Sequence, residues 1–406
     1  MKILKADFIL TCNERFDILQ DKAICFDKNI IEIGEEKILR SKYPAAKFEK
    51  SPKNTILMAG LINPHTHLEF SANRSILTYG SFIPWLNSVI KNRDEIMELS
   101  TKESIEKALN EMLESGTTTI GAISSAGLDL EVCKKSKARV VYFNEILGSN
   151  PASADVLFED FKSRLLVSLQ EKNDRLIPAI SVHSPYSTHP ILAKKALEIA
   201  QKNDFLVSTH FMESLAEREW LNKGSGEFVN FFAPFNPHAK PFLSGSEYLK
   251  LFKNNKTLFT HCVHTNKKEL NIIKNQNATI THCPASNRLL GTGLMDYKAT
   301  KDINLTLGTD GYSSNRSLNM WDELRVALFS HTNEALRILA KDLLKSATIN
   351  GAKALHLDAG SLEVGKKADL ILIELKQIPK SIDQLPLQLI LHTKKVKKVF
   401  IEGEYL

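Results

Sequence analysis

Pro64-His65-Thr66-His67 closes the apolar run Ile56-Leu57-Met58-Ala59-Gly60-Leu61-Ile62. Side chains two residues apart on a strand point the same way, so a His-x-His pair at a strand end aims two imidazoles at one point. Two converging neutral imidazoles suit a divalent transition metal. The same logic recurs downstream. Thr209-His210-Phe211-Met212-Glu213 ends an apolar run with a third imidazole, Thr260-His261-Cys262 with a fourth, and Gly308-Thr309-Asp310-Gly311 with a carboxylate between glycines that permit tight turns. A site of His65, His67, His210 and Asp310 leaves one position open for water, which marks a catalytic rather than a structural metal site. Such a metal lowers the pKa of its water towards neutrality. Glu213 lies three residues past His210. There it falls near the metal without being a ligand, and a carboxyl so placed can shuttle a proton. His264, His282 and His331 form no second His-x-His pair and read as structural or surface residues.

These side chains need a scaffold that gathers strand ends. Eight strand-like runs recur: Thr55–Ile62, Thr117–Ile123, Ala138–Asn144, Leu176–Val182, Phe205–Thr209, Thr257–Thr260, Ala278–Thr281 and Ile303–Leu307. Most are separated by helical periodicity. One predicted helix carries Ile105, Ala108, Leu109, Met112 and Leu113 on one face, with Ser100 and Glu103 as a capping box and Gly116 as its stop. A second, over 190–203, presents Leu192, Ala196, Ile199 and Ala200. Alternating strands and helices imply parallel pairing, and eight such units match an α/β fold of the (β/α)8 TIM-barrel type. The polar ends then converge at one mouth, whereas an open doubly wound sheet would string them along an edge. Both termini show short alternating stretches, Ala23–Phe26 and Ile30–Ile33 at one end, Asp369–Ile373 and Val399–Ile401 at the other. Neither is long enough for a core alone. The expected organisation is a composite β-sandwich of residues 1–54 and 357–406 beside a catalytic barrel of 55–356.

The 406-residue chain has ordinary globular composition and a formal charge of +6. Its one dense basic stretch, Lys394-Lys395-Val396-Lys397-Lys398, reads as a solvated strand face, so no nucleic-acid partner is expected. No run of about 18 apolar residues exists, so no membrane span is expected. Lys5 and Asp7 interrupt the only apolar stretch before Cys12, so a signal peptide is not expected. Five cysteines without a C-x-x-C pair fit reduced, buried thiols and a cytoplasmic setting.

Taken together, Gly60–His67, Ser115–Thr119, His183-Ser184-Pro185-Tyr186-Ser187, His210–Glu213, His261-Cys262, Cys283-Pro284-Ala285-Ser286-Asn287 and Gly308–Asn315 resemble the amidohydrolase superfamily. More narrowly they resemble the branch of methylthioadenosine/S-adenosylhomocysteine deaminases, guanine deaminases and triazine chlorohydrolases. The resemblance implies a distorted (β/α)8 barrel with a composite β-sandwich. It implies one divalent metal, zinc or alternatively iron(II), held by His65, His67, His210 and Asp310. It also implies that His261 and Asp310 orient the attacking hydroxide, with Asp310 as proton acceptor. Glu213 would protonate a ring nitrogen and His183 would contact the purine ring.

Departures from the branch narrow the substrate. Ser81-Phe82-Ile83-Pro84-Trp85 lacks the Glu that would hold ribose hydroxyls in adenosine-type members. Asn144–Asn150 lacks the arginine that homocysteine deaminases use for the amino-acid carboxylate. His67-Leu68-Glu69-Phe70 and Asn144-Glu145 are more similar to the 6-aminodeoxyfutalosine deaminases of the futalosine route to menaquinone, whose adenine nucleoside carries a benzoate. The expected activity is hydrolytic removal of the 6-amino group of that nucleoside. Phe70, Phe82 and Trp85 would face the benzoyl ring, Ser149, Arg288 or Arg316 would meet its carboxylate, and Glu69 and Asn144 would complete the pocket. Expected partners are a purine nucleoside, water and a second copy of the chain as homodimer. Rival expectations are a guanine deaminase, carried by Leu289–Leu294, a methylthioadenosine or adenosine deaminase, a triazine chlorohydrolase, and outside enzymes a metal-free scaffold relative.

Overall fold

The apolar runs of the middle of the chain become eight parallel strands: Leu61–Thr66, Thr117–Ser124, Arg139–Ile146, Leu176–Val182, Leu206–Phe211, Lys256–His261, Thr279–His282 and Asn304–Leu307. They lie in chain order in one sheet, as successive right-handed crossovers require. The computed structural model describes residues 1–72 and 75–406. The sheet curls until its ends nearly meet. Beyond the eighth strand the Asp310 N–H donates to the His65 carbonyl at 3.1 Å, and the Thr66 hydroxyl donates to the Asp310 carbonyl at 3.1 Å. The arrangement is the expected α/β barrel, with the connecting helices outside it.

The helix Lys102–Glu114 buries Ile105, Ala108, Leu109, Met112 and Leu113, as its periodicity predicts. The predicted capping box does not form. The Ser100 hydroxyl instead donates to the carbonyls of Glu69 and, at 2.8 Å, Ile96. Thr101 Oγ1 accepts the Ser104 N–H at 3.3 Å in its place. A second helix, Pro190–Asn203, begins on a proline whose missing N–H would have been an orphan anyway, and it ends on Asp204 at φ 56°.

The predicted strand Thr55–Ile62 is two strands. Thr55–Ala59 pairs parallel with Phe8–Leu10 and antiparallel with Leu370–Glu374, so it belongs to a terminal sheet. The first barrel strand starts at Leu61. Gly60 is the junction: its N–H donates to the Asp369 carbonyl at 3.0 Å, whereas the next N–H, of Leu61, donates to Gly116 at 2.9 Å. A Cβ on Gly60 would lie 2.2 Å from Thr118 Oγ1, so only glycine fits the change of partner.

The termini build two sheets. One has four strands, in the order Ile30–Glu35, Lys22–Phe26, Lys2–Lys5, Lys47–Lys50. The other has six and mixes both ends of the chain, in the order Glu404–Tyr405, Lys398–Ile401, Leu370–Glu374, Thr55–Ala59, Phe8–Leu10, Ile18–Gln20. Phe26 of the first meets Phe400 of the second edge-on, ring centroids 5.5 Å apart. Among the described residues no helix is long and apolar enough to cross a membrane, and all five cysteines are free and buried.

Candidate active site

The barrel puts His65 and His67 at the exit of the first strand, His210 on the fifth and Asp310 just past the eighth. All four are buried, and each offers a ligand atom within 4.8 Å of every other. Asp310 Oδ1 lies 3.6 Å from His65 Nε2 and 3.3 Å from His67 Nε2. The backs of the rings are fixed. His210 Nδ1–H donates to the His183 carbonyl at 2.8 Å, and His65 Nδ1 meets the Thr260 hydroxyl at 3.3 Å. Such partners orient a metal-ligating imidazole.

Asp310 is in the left-handed region at φ 60°. Its Oδ2 accepts from the hydroxyls of Ser286 (2.8 Å) and Ser314 (2.7 Å), and Oδ1 from the Gly311 N–H (2.9 Å). Burial raises its pKa, but the neighbouring imidazoles, His65 first and then His67 and His261, prevail and hold the carboxyl well below the usual range. Burial pushes the pKa of His67 and His210 down, and for His210 the other imidazoles add to the effect. Three imidazoles and one carboxylate are a donor set that fits a divalent transition metal.

A second group shares Asp310. His261 Nε2 lies 3.6 Å from Glu213 Oε1 and 4.0 Å from Asp310 Oδ2, and it has no hydrogen-bond partner among the described residues. The other nitrogen, Nδ1–H, donates to Asn287 Oδ1 at 2.9 Å, so Nε2 is the acceptor of a neutral ring. Burial brings the His261 pKa down to about 4. Glu213 moves the opposite way: burial first, then the negative Asp310 and Glu217, push its carboxyl well above the ordinary value. The two shifts run in opposite directions, towards an acid that keeps its proton longer and a base that stays neutral, an arrangement suited to proton transfer.

The remaining site residues divide. His183 stands beside the metal-facing group, its ring 4.9 Å from that of His210, with Nδ1 at 2.5 Å from Ser187 Oγ. Phe70 lies 6.0 Å ring to ring from His67. Phe82 packs against Trp85 (5.6 Å), Tyr186 (6.2 Å) and Phe228 (6.4 Å), and Trp85 Nε1–H donates to the Ser313 carbonyl at 2.7 Å. These rings form an aromatic wall that reaches His183 through Tyr186.

Two expected pocket residues turn elsewhere. The Glu69 carboxylate is consumed by the loop after the second strand, accepting from the N–H groups of Ser125, Ala126 and Leu128 and from the Ser124 hydroxyl. Asn144 Nδ2 donates to Ser168 Oγ and the Ala179 carbonyl, on the helix side of the third strand. Ser149 is half-buried, and Arg288 and Arg316 are exposed.

Strand alternation explains the Asn144 result: the inward residue is its neighbour Glu145. The Glu145 carboxylate accepts from Ser125 Oγ (2.6 Å) and Ser181 Oγ (3.1 Å) and groups with His183 and His210. Hydrogen bonds and nearby imidazoles outweigh its burial and keep its pKa low. Glu145, Tyr186, Ser286 and Ser314 were not singled out as site residues from the sequence. The signals that could have found Glu145 are its place just past the strand-like run Ala138–Asn144 and its part in the Asn144-Glu145 pair that carries the family resemblance.

Residues 56–406 match the amidohydrolase family. Over 404 residues the chain is 49% identical to the aminodeoxyfutalosine deaminase of Nitratiruptor sp., covering 100% of this chain and 99% of that one. It is 38% identical over 410 residues to the adenosine deaminase of Helicobacter pylori, covering 99% of each. The crystal structure of Helicobacter pylori aminofutalosine deaminase in complex with methylthio-coformycin is similar along its whole length, with a TM-score of 0.95, 36% identity and 100% of both chains covered. The chain therefore belongs to the amidohydrolase family and is a hydrolase.

Proposed function

We propose that this protein hydrolytically removes the 6-amino group of an adenine nucleoside, 6-aminodeoxyfutalosine, with release of ammonia. The observation that carries the reading is the buried Glu213, its pKa raised by burial, facing His261 beside three imidazoles and Asp310. The name of the full-length relative at 49% identity supports the substrate. His65, His67, His210 and Asp310 would hold one divalent metal, zinc in this reading. When bound, it supplies a Lewis acid that makes water nucleophilic near neutral pH.

The protein groups do the rest. His261 Nε2, an unprotonated acceptor, would hold the attacking water on the amine-bearing carbon. Asp310 Oδ2, which faces His261, would take the water's proton. Glu213 would donate its proton to the adjacent ring nitrogen, neutralising charge as the carbon becomes tetrahedral. Asp310 would then pass its proton to the exocyclic amine while the new hydroxyl returns its proton to Glu213, so that the C–N bond breaks, the C=O bond forms and ammonia leaves. His183 would contact the ring, and the wall of Phe70, Phe82 and Trp85 would take the aromatic end of the substrate. Ser149, Arg288 and Arg316 stay in this reading as candidates for its carboxylate. The terminal sheets of residues 1–54 and 357–406 would form a sandwich beside a catalytic barrel of 55–356. Five free buried thiols support a cytoplasmic setting.

The test is ammonia release from a panel of 6-aminodeoxyfutalosine, adenosine, methylthioadenosine and guanine. The expected result is the highest kcat/KM for the first. A preference for adenosine would favour a second reading, for which the 38% identical adenosine deaminase of Helicobacter pylori speaks. A preference for guanine, or no turnover of any adenine compound, would defeat both.

A further inference from the structure

Glu213 and His261 sit on turns that leave two neighbouring strands, and both turns are strained. Met212 has φ 50°, His261 72° and Cys262 52°, left-handed values for residues that carry a Cβ. Such conformations persist only where the surroundings over-determine them. Here the surroundings are two consecutive residues of one helix, Leu215–Lys223.

That helix begins Ser214-Leu215-Ala216-Glu217, the pattern of a capping box, and the first half of the box is present: Ser214 Oγ accepts the Glu217 N–H at 3.1 Å. The usual reciprocal bond to the cap residue's own N–H is not made. The Glu217 carboxylate reaches further back, taking the N–H of Met212 on Oε1 and that of Glu213 on Oε2, each at 2.9 Å. Glu217 is fully buried. The next residue, Arg218, points to the neighbouring turn. Its Nε–H donates to the His264 carbonyl at 3.1 Å, and its two terminal nitrogens fork onto the carboxylate of Glu269, with 2.9 Å from Nη1 to Oε1. The two turns are also tied directly, the His264 N–H donating to the Met212 carbonyl at 2.9 Å.

We propose that Glu217 and Arg218 are positioning residues that together set the approach of Glu213 to His261, Glu217 by fixing the backbone of the acid and Arg218 that of the base. The inference rests on the reading above, in which those two side chains act on substrate and water. A helix cap alone needs neither the displaced carboxylate bonds nor the fork to Glu269.

The decisive measurement is a double-mutant cycle. Glu217→Gln keeps the volume but loses one acceptor oxygen. It should lower kcat about 10- to 100-fold, the loss expected from misplacing a reacting group by a fraction of an ångström to an ångström, with KM changed less than roughly threefold. In a Glu213→Gln background the same change should lower kcat no further, because the residue it positions is gone. Amide exchange at Met212 and Glu213 should speed up at least about tenfold in Glu217→Gln. Equal losses of kcat in both backgrounds would show a merely structural role and overturn the proposal, as would unchanged kcat or unchanged exchange. If Glu217→Gln does not fold, Glu217→Asp, which keeps both oxygens on a shorter stem, is read in the same cycle by the same criteria. If the unsubstituted protein releases no ammonia from any adenine nucleoside, the deaminase reading fails by itself, and the clamp is then judged by the exchange rates alone.

Discussion

Glu213 Oε1 and His261 Nε2 stand 3.6 Å apart at the ends of adjacent strands, too far for a hydrogen bond and close enough to share one small molecule between them. Burial raises the pKa of the carboxyl and lowers that of the imidazole, to about 4. Replacing Glu213 with Gln removes the transferable proton and keeps the shape. The expected outcome is a fall in kcat of about 10²- to 10⁴-fold, the usual worth of a positioned general acid. Metal content should be unchanged, as measured by elemental analysis of the purified variant.

Removal of the metal should abolish ammonia release and destabilise the fold together. Dialysis against a strong chelator leaves three imidazoles and a carboxylate facing one another with nothing to bind. Returning zinc at about 100 times its Kd should restore activity and recover about 2.7 kcal/mol of stability relative to the stripped protein. Thermal unfolding with and without zinc is the measurement, and equal Tm values would contradict the assignment of those four residues.

One contribution to stability should fall as pH rises from about 4 to about 7, that of a group remote from the metal donors. Asp129 is buried, and burial, with the Glu69 charge adding to it, raises its pKa from 3.8 to about 7. Its Oδ1 accepts from Ser124 Oγ (2.7 Å) and the Tyr142 hydroxyl (2.8 Å), and its Oδ2 has no hydrogen-bond partner among the described residues. Glu69, Cys133 and Tyr142 are the other titratable groups that face it. A folded-state pKa above the unfolded one means the native state binds the extra proton. Its contribution is full below the unfolded value and is lost by about 1.4 kcal/mol per pH unit up to the folded one. Denaturant unfolding across this range should show Asp129→Asn gaining in stability relative to the unsubstituted chain as pH rises, and a difference independent of pH would contradict the assignment.

Asn144 and Glu145 give a paired prediction from opposite faces of one strand. Asn144→Ala should cost about 1–3 kcal/mol of stability, through the buried Ser168 hydroxyl and Ala179 carbonyl it deserts, with KM unchanged. Glu145→Gln should leave stability closer to that of the unsubstituted chain and alter kcat/KM. Denaturant titration and steady-state kinetics on both variants check the contrast.

The barrel was readable because its signals are local: short apolar runs in the strands, a helical period between them, and a polar residue closing nearly every run. The convergence of His65, His67, His210 and Asp310 follows from the same rule, since a strand end fixes direction. What escaped depended on partners distant in sequence. The strand Thr55–Ile62 reads as continuous, and only the change from Asp369 to Gly116 as hydrogen-bond partner reveals its division at Gly60. Glu69 looks like a pocket carboxylate until the 125–128 loop folds its amides onto it. Asn144 and Glu145 differ by one residue of register, which no count of apolar positions decides. Nothing in the sequence marks Glu217, because its bonds to Met212 and Glu213 depend on how the fifth strand leaves the barrel.

Of the three tryptophans, Trp220 and Trp321 are enclosed, while Trp85 is half-buried with its indole N–H bound to the Ser313 carbonyl, three residues beyond Asp310. An indole's emission shifts when that bond is made, broken or stripped of water. The chain thus carries a built-in optical gauge on the segment that presents its metal-facing carboxylate, and arrival of an ion or a ring-bearing ligand should be visible as a change of colour in the fluorescence, without any label.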